Sequence, residues 1–313
     1  MSEQQAEKLL ATLILARSFS YLMSKFVLGE LDTFNLLALR FLLAFAVLLV
    51  VLRKHCRRVN RQVLFHGAVI GTTFFLTLSA ELTALHSAPS TTVSFLENCS
   101  IVLVPLMAAA LRRRFPGKGT LGSAALAVFG VALLTQGHSG GMSFSAGECT
   151  ALLAAFFYAD TILLTSRFAK DDDPLALGLV QVGTVGVLSL TVSLLTETPH
   201  LPTSLGGWGG VVMLALVCTG FGLTLQPMAQ SHISAEKAGL FCALSPVSAA
   251  VLGWVFLRED LGPVGLLGAS LVLCSILLPH FLAMPAVRAK LHRVPRLPLH
   301  WSRTFRAPAR KAA

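Results

Sequence analysis

Long apolar stretches alternate with short polar segments along almost the whole chain. Ten such stretches lie at roughly residues 9–29, 33–53, 63–84, 89–111, 119–136, 147–168, 174–196, 208–230, 236–257 and 263–283. A helix needs about 20 apolar residues to cross the hydrocarbon core of a bilayer. The stretches are continuous, whereas the strands of a membrane barrel alternate in character over about ten residues. The pattern therefore predicts an all-α integral membrane protein with ten transmembrane helices.

The composition agrees with a membrane protein. Apolar residues make up 54% of the 313 residues and charged residues only 13%, compared with about 25% charged residues in soluble domains. Such a chain has too few polar side chains to cover the surface of a soluble domain, and its hydrophobicity excludes intrinsic disorder. The six cysteines are scattered without a C-x-x-C pair, so neither a disulfide framework nor a zinc site is indicated.

The basic residues indicate the orientation of the chain in the membrane. Of the 25 Lys and Arg residues, 21 lie in the termini or in alternate polar segments, all on one side of a ten-helix arrangement. The segments on the other side carry only Arg258. Because Lys and Arg concentrate in cytoplasmic loops, we predict a multi-pass protein of the cytoplasmic (inner) membrane with residues 1–8 and 284–313 in the cytoplasm. No cleavage site follows the first apolar stretch, so we expect the N-terminus to be retained.

Residues 284–313 form a basic, proline-containing tail that is too polar to span a membrane. We expect it to lie on the anionic lipids of the cytoplasmic leaflet, since each basic residue near the surface adds on the order of 1 kcal/mol of binding. Binding of nucleic acid is the less favoured alternative, so no nucleic-acid partner is predicted.

Short segments recur in the same order at an offset of about 141 to 147 residues. The matched pairs are Ser24–Phe26 with Ser166–Phe168, Asp32–Arg40 with Asp173–Gln181, Ser87-Ala88 with Ser234-Ala235, and Leu121-Gly122 with Leu267-Gly268. We therefore predict two five-helix repeats, at residues 9–136 and 147–283. Because five is odd, the repeats run in opposite directions through the membrane, which places a solute site near the midplane at their interface.

The second repeat carries three motifs that resemble those of a known family. The motifs are Leu244-Ser245-Pro246-Val247, Leu257-Arg258-Glu259-Asp260-Leu261 and Leu267-Gly268-Ala269. They resemble the proline-containing ninth helix, the E-x-L turn and the tenth helix of the EamA branch of the drug/metabolite transporter superfamily. The resemblance spans about residues 9–283 and implies transport of amino acids, related metabolites or drugs. The chain departs from the family pattern at Arg17, at Cys99 in place of a proline, and at Arg112–Arg114 in place of a glutamate turn.

Away from the loops, six Lys, Arg, Asp and Glu residues lie inside the predicted spans: Arg17, Lys25, Arg40, Glu81, Glu97 and Asp160. A charge at the centre of a membrane helix costs about 2.5–3.5 kcal/mol, so each side chain should face protein or water and be paired. One interpretation is a polar cavity for a polar or zwitterionic solute. Glu97 is then the first candidate and Asp160 the second for binding an ammonium group or exchanging a proton. The alternative is three ion pairs that only fix the packing of the helices.

Further candidates for the lining of such a cavity are Tyr21, Asn98, Tyr158, Gln226 and Trp254. For the aromatic residues, packing or anchoring at the membrane interface is the alternative role. Pro105 and Pro246 also lie inside predicted spans, where a proline either frees backbone carbonyls for a solute or forms an ordinary kink.

The sequence lacks the motifs of an enzyme. Asp171-Asp172-Asp173 resembles an acidic metal motif, but its place just before Pro174 favours capping of a helix N-terminus. The histidines show no H-E-x-x-H spacing, and no G-x-x-x-x-G-K-[ST] loop for nucleotide phosphates occurs. We therefore predict no metal, no cofactor and no catalytic residue.

Together these features predict a secondary active transporter that exports a small polar metabolite, an amino-acid-like solute or a drug by alternating access. Proton coupling is suggested only by Glu97 and Asp160. The expected partners are the solute and the bilayer, and the chain would act as a monomer or a homodimer. One alternative is an intramembrane lipid-modifying enzyme, although no nucleophile, metal site or His/Asp pair clusters at one depth. The other is a membrane sensor that binds a ligand without moving it.

Overall fold

The computed structural model describes residues 3–56, 58–111, 113, 115, 117–139, 145–168, 171–222 and 244–283. Helices make up most of these ranges, and no residue within them lies in a strand. The elements are α1 (Glu3–Val27), α2 (Thr33–Val51), α3 (Arg53–Cys56), α4 (Arg61–Ser87), α5 (Ser90–Asn98), α6 (Ser100–Leu111), α7 (Lys118–Ser139), α8 (Ala146–Phe168), α9 (Pro174–Thr196), α10 (Leu205–Met213), a π-helical segment (Leu214–Phe221), α11 (Leu244–Leu257) and α12 (Gly262–Ala283). The described chain is all-helical, as predicted.

Six helical spans among the described residues are long and apolar enough to cross a membrane. They are α1, α2, α4, α5 together with α6, α8, and α9. Shorter apolar helices lie at the other four predicted spans, over Gly119–Leu134, Leu205–Phe221, Ser245–Leu257 and Gly262–Leu278. This architecture agrees with the predicted class of all-α membrane proteins, and the count of ten spans stays a prediction.

Polar side chains next to the apolar stretches determine where several helices begin. The side chains of Asn60, Asp173 and Ser204 accept hydrogen bonds from backbone N–H groups in the first turns of α4, α9 and α10. A side-chain acceptor at this position satisfies N–H groups that have no partner within the helix. Asp173 therefore caps α9, which confirms the capping role predicted for the acidic run. Pro174 follows at the first helical position, where a missing N–H is tolerated.

Among the described residues, two of the predicted spans are not continuous α-helices, and in neither does the change occur at a proline. The fourth span breaks at Cys99, between α5 and α6, and α6 then continues through Pro105. The eighth span changes from α-helix to the π-helical segment. Pro246 lies within the described part of α11. Whether these two prolines free carbonyls for a solute or form ordinary kinks stays a prediction.

Helices of each half of the chain pack on helices of the other half. In the first half, α1 packs on α10, the π-helical segment and α11 of the second half. In the second half, α8 packs on α4, α5 and α6 of the first. The pairs α2 with α9 and α7 with α12 also join the halves. Each half therefore contributes helices to extensive contacts with the other, and the main hydrophobic core contains residues of both halves.

Helices α7 and α12 approach each other through glycines. A Cβ atom on Gly130 would lie 2.7 Å from the backbone nitrogen of Val272, and a Cβ atom on Gly268 would overlap the backbone of Leu134. Small residues allow membrane helices to pack with their backbones in contact. The two glycines therefore fix the separation of these helices.

We expect Gly268→Val to destabilise the protein by about 1–3 kcal/mol, because the added side chain has no space against the α7 backbone. Gly122→Val on α7 is the matched control, since the nearest atom to an added Cβ there lies 4.0 Å away. Thermal unfolding in detergent compares the two variants. Equal unfolding midpoints for the two variants would contradict the close approach of α7 and α12.

Candidate functional site

A small polar cavity lies at the interface between the two halves. Its lining consists of Ser20 and Tyr21 of α1, Arg40 of α2, Phe74, Leu78 and Glu81 of α4, Glu97 of α5, Cys218 of the π-helical segment, and Ser245 of α11. The cavity volume is about 30 Å³, which is space for about one water molecule. A larger solute can therefore enter only when the surrounding helices move apart.

Three side chains in the lining carry formal charges, and all three are buried. Arg40, Glu81 and Glu97 have relative exposures of 5%, 5% and 4%. Each of them interacts with other groups of the protein. Because an isolated charge in the hydrocarbon core is costly, charged residues inside membrane proteins mark solute or ion pathways far more often than in soluble cores. The cluster is therefore the leading candidate for a functional site.

Hydrogen bonds from other helices position these charged groups. The hydroxyl of Tyr21 on α1 donates to Oε2 of Glu97 on α5 at 2.8 Å. Nε of Arg40 on α2 donates to Oγ1 of Thr219 in the π-helical segment at 2.8 Å. The Arg40 guanidinium also lies 5.4 Å from the centroid of the Phe41 ring, within the range of a cation–π contact. Both hydrogen-bonded pairs join different helices, so movement of those helices changes the site.

The cavity brings both signs of charge to one place. The carboxylates of Glu81 and Glu97 can accept hydrogen bonds from an ammonium group, and the Arg40 guanidinium can bind a carboxylate. The hydroxyls of Ser20 and Ser245 can donate or accept. No group of three or more His, Cys, Asp or Glu side chains that could hold a metal ion occurs in the part of the chain that the structure describes. This chemistry matches a small zwitterionic or amine-bearing solute.

The structure brings together some of the residues predicted for the site. Tyr21, Arg40 and Glu97 line the cavity. Tyr158 lies behind its wall, with its ring centroid 6.3 Å from that of Phe74.

Other predicted residues lie elsewhere. Asp160 is partly buried on α8 and does not line the cavity. The Asn98 side chain donates within its own helix, to the carbonyl of Ser94 at 2.8 Å. Trp254 is 69% exposed on the bundle surface. The side chain of Arg17 and the whole of Gln226 lie outside the described residues.

Sequence reasoning missed several residues of the cavity. They are Ser20, Phe74, Leu78, Cys218, Ser245 and the hydrogen-bond partner of Arg40, Thr219. Ser20 is next to Tyr21 and Ser245 is next to Pro246 in the sequence, so these predicted residues could have pointed to the two serines. No sequence pattern marks Cys218 or Thr219, because their approach to the first half depends on the π-helical turn that carries them.

Further polar clusters lie at the two ends of the helix bundle. We call these the Glu259 end, with loops 28–32, 88–89, 197–204 and 258–261, and the Asp173 end, with residues 52–56, 58–60 and 171–173. At the Asp173 end, Nη1 of Arg58 lies 2.7 Å from Oδ2 of Asp173, and Nδ1 of His66 lies 2.6 Å from Oδ2 of Asp172. Burial acts to raise the pKa of Asp173, but the hydrogen bonds from Arg58 and from the first turn of α9 outweigh it and lower the pKa.

At the Glu259 end, the carboxylate of Glu259 caps the N-terminus of α5. It accepts hydrogen bonds from the backbone N–H and hydroxyl groups of Ser90 and Thr91 at 2.8–3.0 Å. Nζ of Lys25 donates to the same carboxylate at 2.9 Å. Burial acts to raise the pKa of Glu259, but the Thr91 N–H group and the Lys25 ammonium outweigh it and hold the pKa below its ordinary value. Lys25 therefore pairs with Glu259 and lies away from the cavity.

Two more carboxylates at this end contact helix N-termini in the same way. Glu30 accepts hydrogen bonds from backbone and hydroxyl groups at the start of α10. Glu197 accepts from two backbone N–H groups at the start of α2, at 2.7 and 2.9 Å. The hydroxyl and backbone groups of Ser204 lower the pKa of Glu30 to about 2. Glu30, Glu197 and Glu259 thus form three carboxylate clasps, and each clasp joins one half of the chain to the other.

The comparisons with known proteins agree with this architecture. The model of the EamA-like transporter family matches residues 6–136 and 145–279. A solved structure described only as "Crystal structure of protein" superposes with a TM-score of 0.66 at 21% sequence identity, covering 90% of this chain and 98% of that one. No curated protein matches the chain. At this identity the solved structure supports the fold, and the family match extends over both halves.

We expect Glu30→Gln to lower the thermal unfolding midpoint in detergent by a few degrees at neutral pH, because the neutral amide weakens the clasp on α10. The pKa of Glu30 is lowered from 4.5 to about 2. Its stabilisation is therefore fully present above the unfolded-state value and is lost as the pH falls towards 2. Asp32→Asn is the control in the same loop, since the Asp32 side chain caps no helix. A Glu30→Gln midpoint equal to that of the wild type at neutral pH would contradict the clasp.

Proposed function

Because this chain belongs to the EamA-like transporter family, we propose that it is a secondary active transporter of a small polar solute in the cytoplasmic membrane. Members of the family are transporters of the drug/metabolite type, which favours this function over the lipid-modifying enzyme and the sensor. The observation that carries the proposal is the buried, charged cavity at the interface between the two halves.

The position of the cavity supports transport by alternating access. Its lining comes from α1, α2, α4 and α5 of the first half and from the π-helical segment and α11 of the second. In inverted-repeat transporters a site at the interface of the repeats becomes accessible from either side as one half moves against the other. The proposed ten spans and inverted repeats give each half of this chain five helices, consistent with such a movement.

The proposed direction is export. The distribution of Lys and Arg supports an orientation with the Asp173 end in the cytoplasm and the Glu259 end outside. In the described structure the three carboxylate clasps join the two halves at the Glu259 end, which supports a state that is closed there. Loading of the cavity from the cytoplasm therefore agrees with the closed outer end.

The proposed solute is an amino-acid-like metabolite or another small polar amine. Glu97 and Glu81 would bind its ammonium group and Arg40 a carboxylate on the same molecule. Glu97 is also our candidate for proton exchange, since its carboxylate is buried and its hydrogen bond from Tyr21 joins two helices. In that scheme a proton and the solute ammonium compete for one carboxylate, so an inward proton gradient drives export.

The test uses purified protein in liposomes, labelled amino acids and amines, and an imposed pH gradient. We expect at least one solute to move faster with the gradient than without it. We expect Glu97→Gln to lower the initial rate for that solute by roughly tenfold to a hundredfold, because it removes a charge-assisted hydrogen bond and the exchangeable proton.

Glu148→Gln is the matched control, because Glu148 is also buried but bonds to the Ser145 N–H at 2.8 Å outside the cavity. It should retain the wild-type rate. A wild-type rate in folded Glu97→Gln would exclude Glu97 as the binding or coupling residue. If no solute moves under any gradient, the transporter is excluded and the sensor is favoured.

A further inference from the structure

In the Glu259 clasp the capping carboxylate is far along the chain from the helix that it caps, whereas an ordinary cap residue directly precedes its helix. The residue before α5, Pro89, makes no side-chain cap, so the first N–H groups of α5 depend on a carboxylate 168 and 169 residues away. Lys25 connects α1 to the same carboxylate. One carboxylate from the second half thus holds two helices of the first half together at the Glu259 end.

The clasp and the cavity share two helices, α1 and α5. Lys25 is one helical turn from Tyr21 along α1, and Thr91 is six residues from Glu97 along α5. Both Tyr21 and Glu97 line the cavity. Helices α1 and α5 thus both extend from the cavity to the place where Lys25 and Glu259 meet.

The turn that carries Glu259 has a counterpart in the first half. Arg258 and Arg113 are the two residues other than glycine with positive φ among the described residues, at 53° and 49°. They are separated by 145 residues, which is within the offset of the repeat. In the sequence, Glu259 follows Arg258, whereas Arg114 follows Arg113.

The residue that follows the positive-φ arginine therefore differs in charge between the two turns. A carboxylate can accept hydrogen bonds from helix N–H groups and is favoured next to a helix N-terminus, whereas a guanidinium has only donors. Glu259 has the chemistry of the clasp, and the residue at the corresponding position of the first-half sequence does not.

We infer that Lys25 and Glu259 are the gating pair of the outer end, and that they bias the protein towards the state in which the cavity is closed to the outside. Only the role of this pair in a transport cycle rests on the proposed function; its effect on access to the cavity does not. Opening of the outer end separates Glu259 from the α5 N-terminus, and water then satisfies the freed N–H, ammonium and carboxylate groups. The clasp is consequently reversible, unlike an ion pair deep in the hydrocarbon core.

Cys218 provides a natural probe of this gate. It is buried, with 1% exposure, and lines the cavity. The test uses a variant in which the other cysteines, Cys56, Cys99, Cys149, Cys242 and Cys274, are replaced by alanine. A membrane-impermeant thiol reagent is added to the outside of right-side-out vesicles, and the rate of Cys218 modification is measured by mass spectrometry. No transported solute is needed, so the outcome is independent of the proposed function.

We expect Glu259→Gln and Lys25→Met each to increase the rate of Cys218 modification from outside about tenfold, the effect of losing hydrogen bonds to a charged group. Arg258→Gln is the control, because Arg258 is exposed in the same turn and takes no part in the clasp. It should leave the rate unchanged.

Folding of each variant is checked by size-exclusion chromatography before the rates are compared. Unchanged rates in both folded clasp variants would overturn the inference. An equal increase in Arg258→Gln would also overturn it, because loosening of the loop alone would then account for the effect. If only one clasp variant folds, its rate of Cys218 modification is compared with that of Arg258→Gln. A faster rate supports the inference, and an equal rate overturns it.

Discussion

The arrangement of this protein depends on one constraint: a charge placed in the hydrocarbon core must find its partners within the protein. Arg40, Glu81 and Glu97 meet that constraint at the interface of the two halves, where groups of both halves surround them. Arg40 bonds to Thr219 of the second half, and Tyr21 bonds to Glu97 across two helices of the first. The charged cavity therefore exists only while the halves are assembled, and a change in their relative position changes the environment of every charge.

The need of polar groups for partners within the protein also determines the contacts at the ends of the bundle. Helix N-termini expose N–H groups that need acceptors, and at the Glu259 end the acceptors come from carboxylates of the other half. Glu30, Glu197 and Glu259 thus stabilise the helices and close the end with the same hydrogen bonds. At the Asp173 end, Asp173 caps its own helix and also bonds to Arg58 of the first half at 2.7 Å. The contacts that determine where helices begin are thus also contacts between the halves, which the proposed alternating movement would break.

Much of the fold could be predicted from the sequence because hydrophobicity and charge act locally along a membrane chain. The predicted span 174–196 coincides with α9, and the capping by Asp173 follows from residue types within one turn. Arg40 and Glu97 lie at the cavity because a charge inside a membrane must face partners within the protein. Tyr21 lies there as the hydrogen-bond partner of Glu97. The break at Cys99, the partner of Lys25 and the position of Asp160 away from the cavity could not be predicted, since they depend on which helix faces which. The approach of Cys218 and Thr219 depends likewise on a π-helical turn that has no marker in the sequence.

If the cavity between the halves is the solute site, a bound solute must protect Cys218 from modification. Cys218 lies in the lining beside Arg40 and Glu97, so a bound solute should block access of a thiol reagent. We expect a transported solute to slow modification of Cys218, with half-protection near the concentration that gives half-maximal transport. A saturating transported solute that leaves the modification rate unchanged would contradict it.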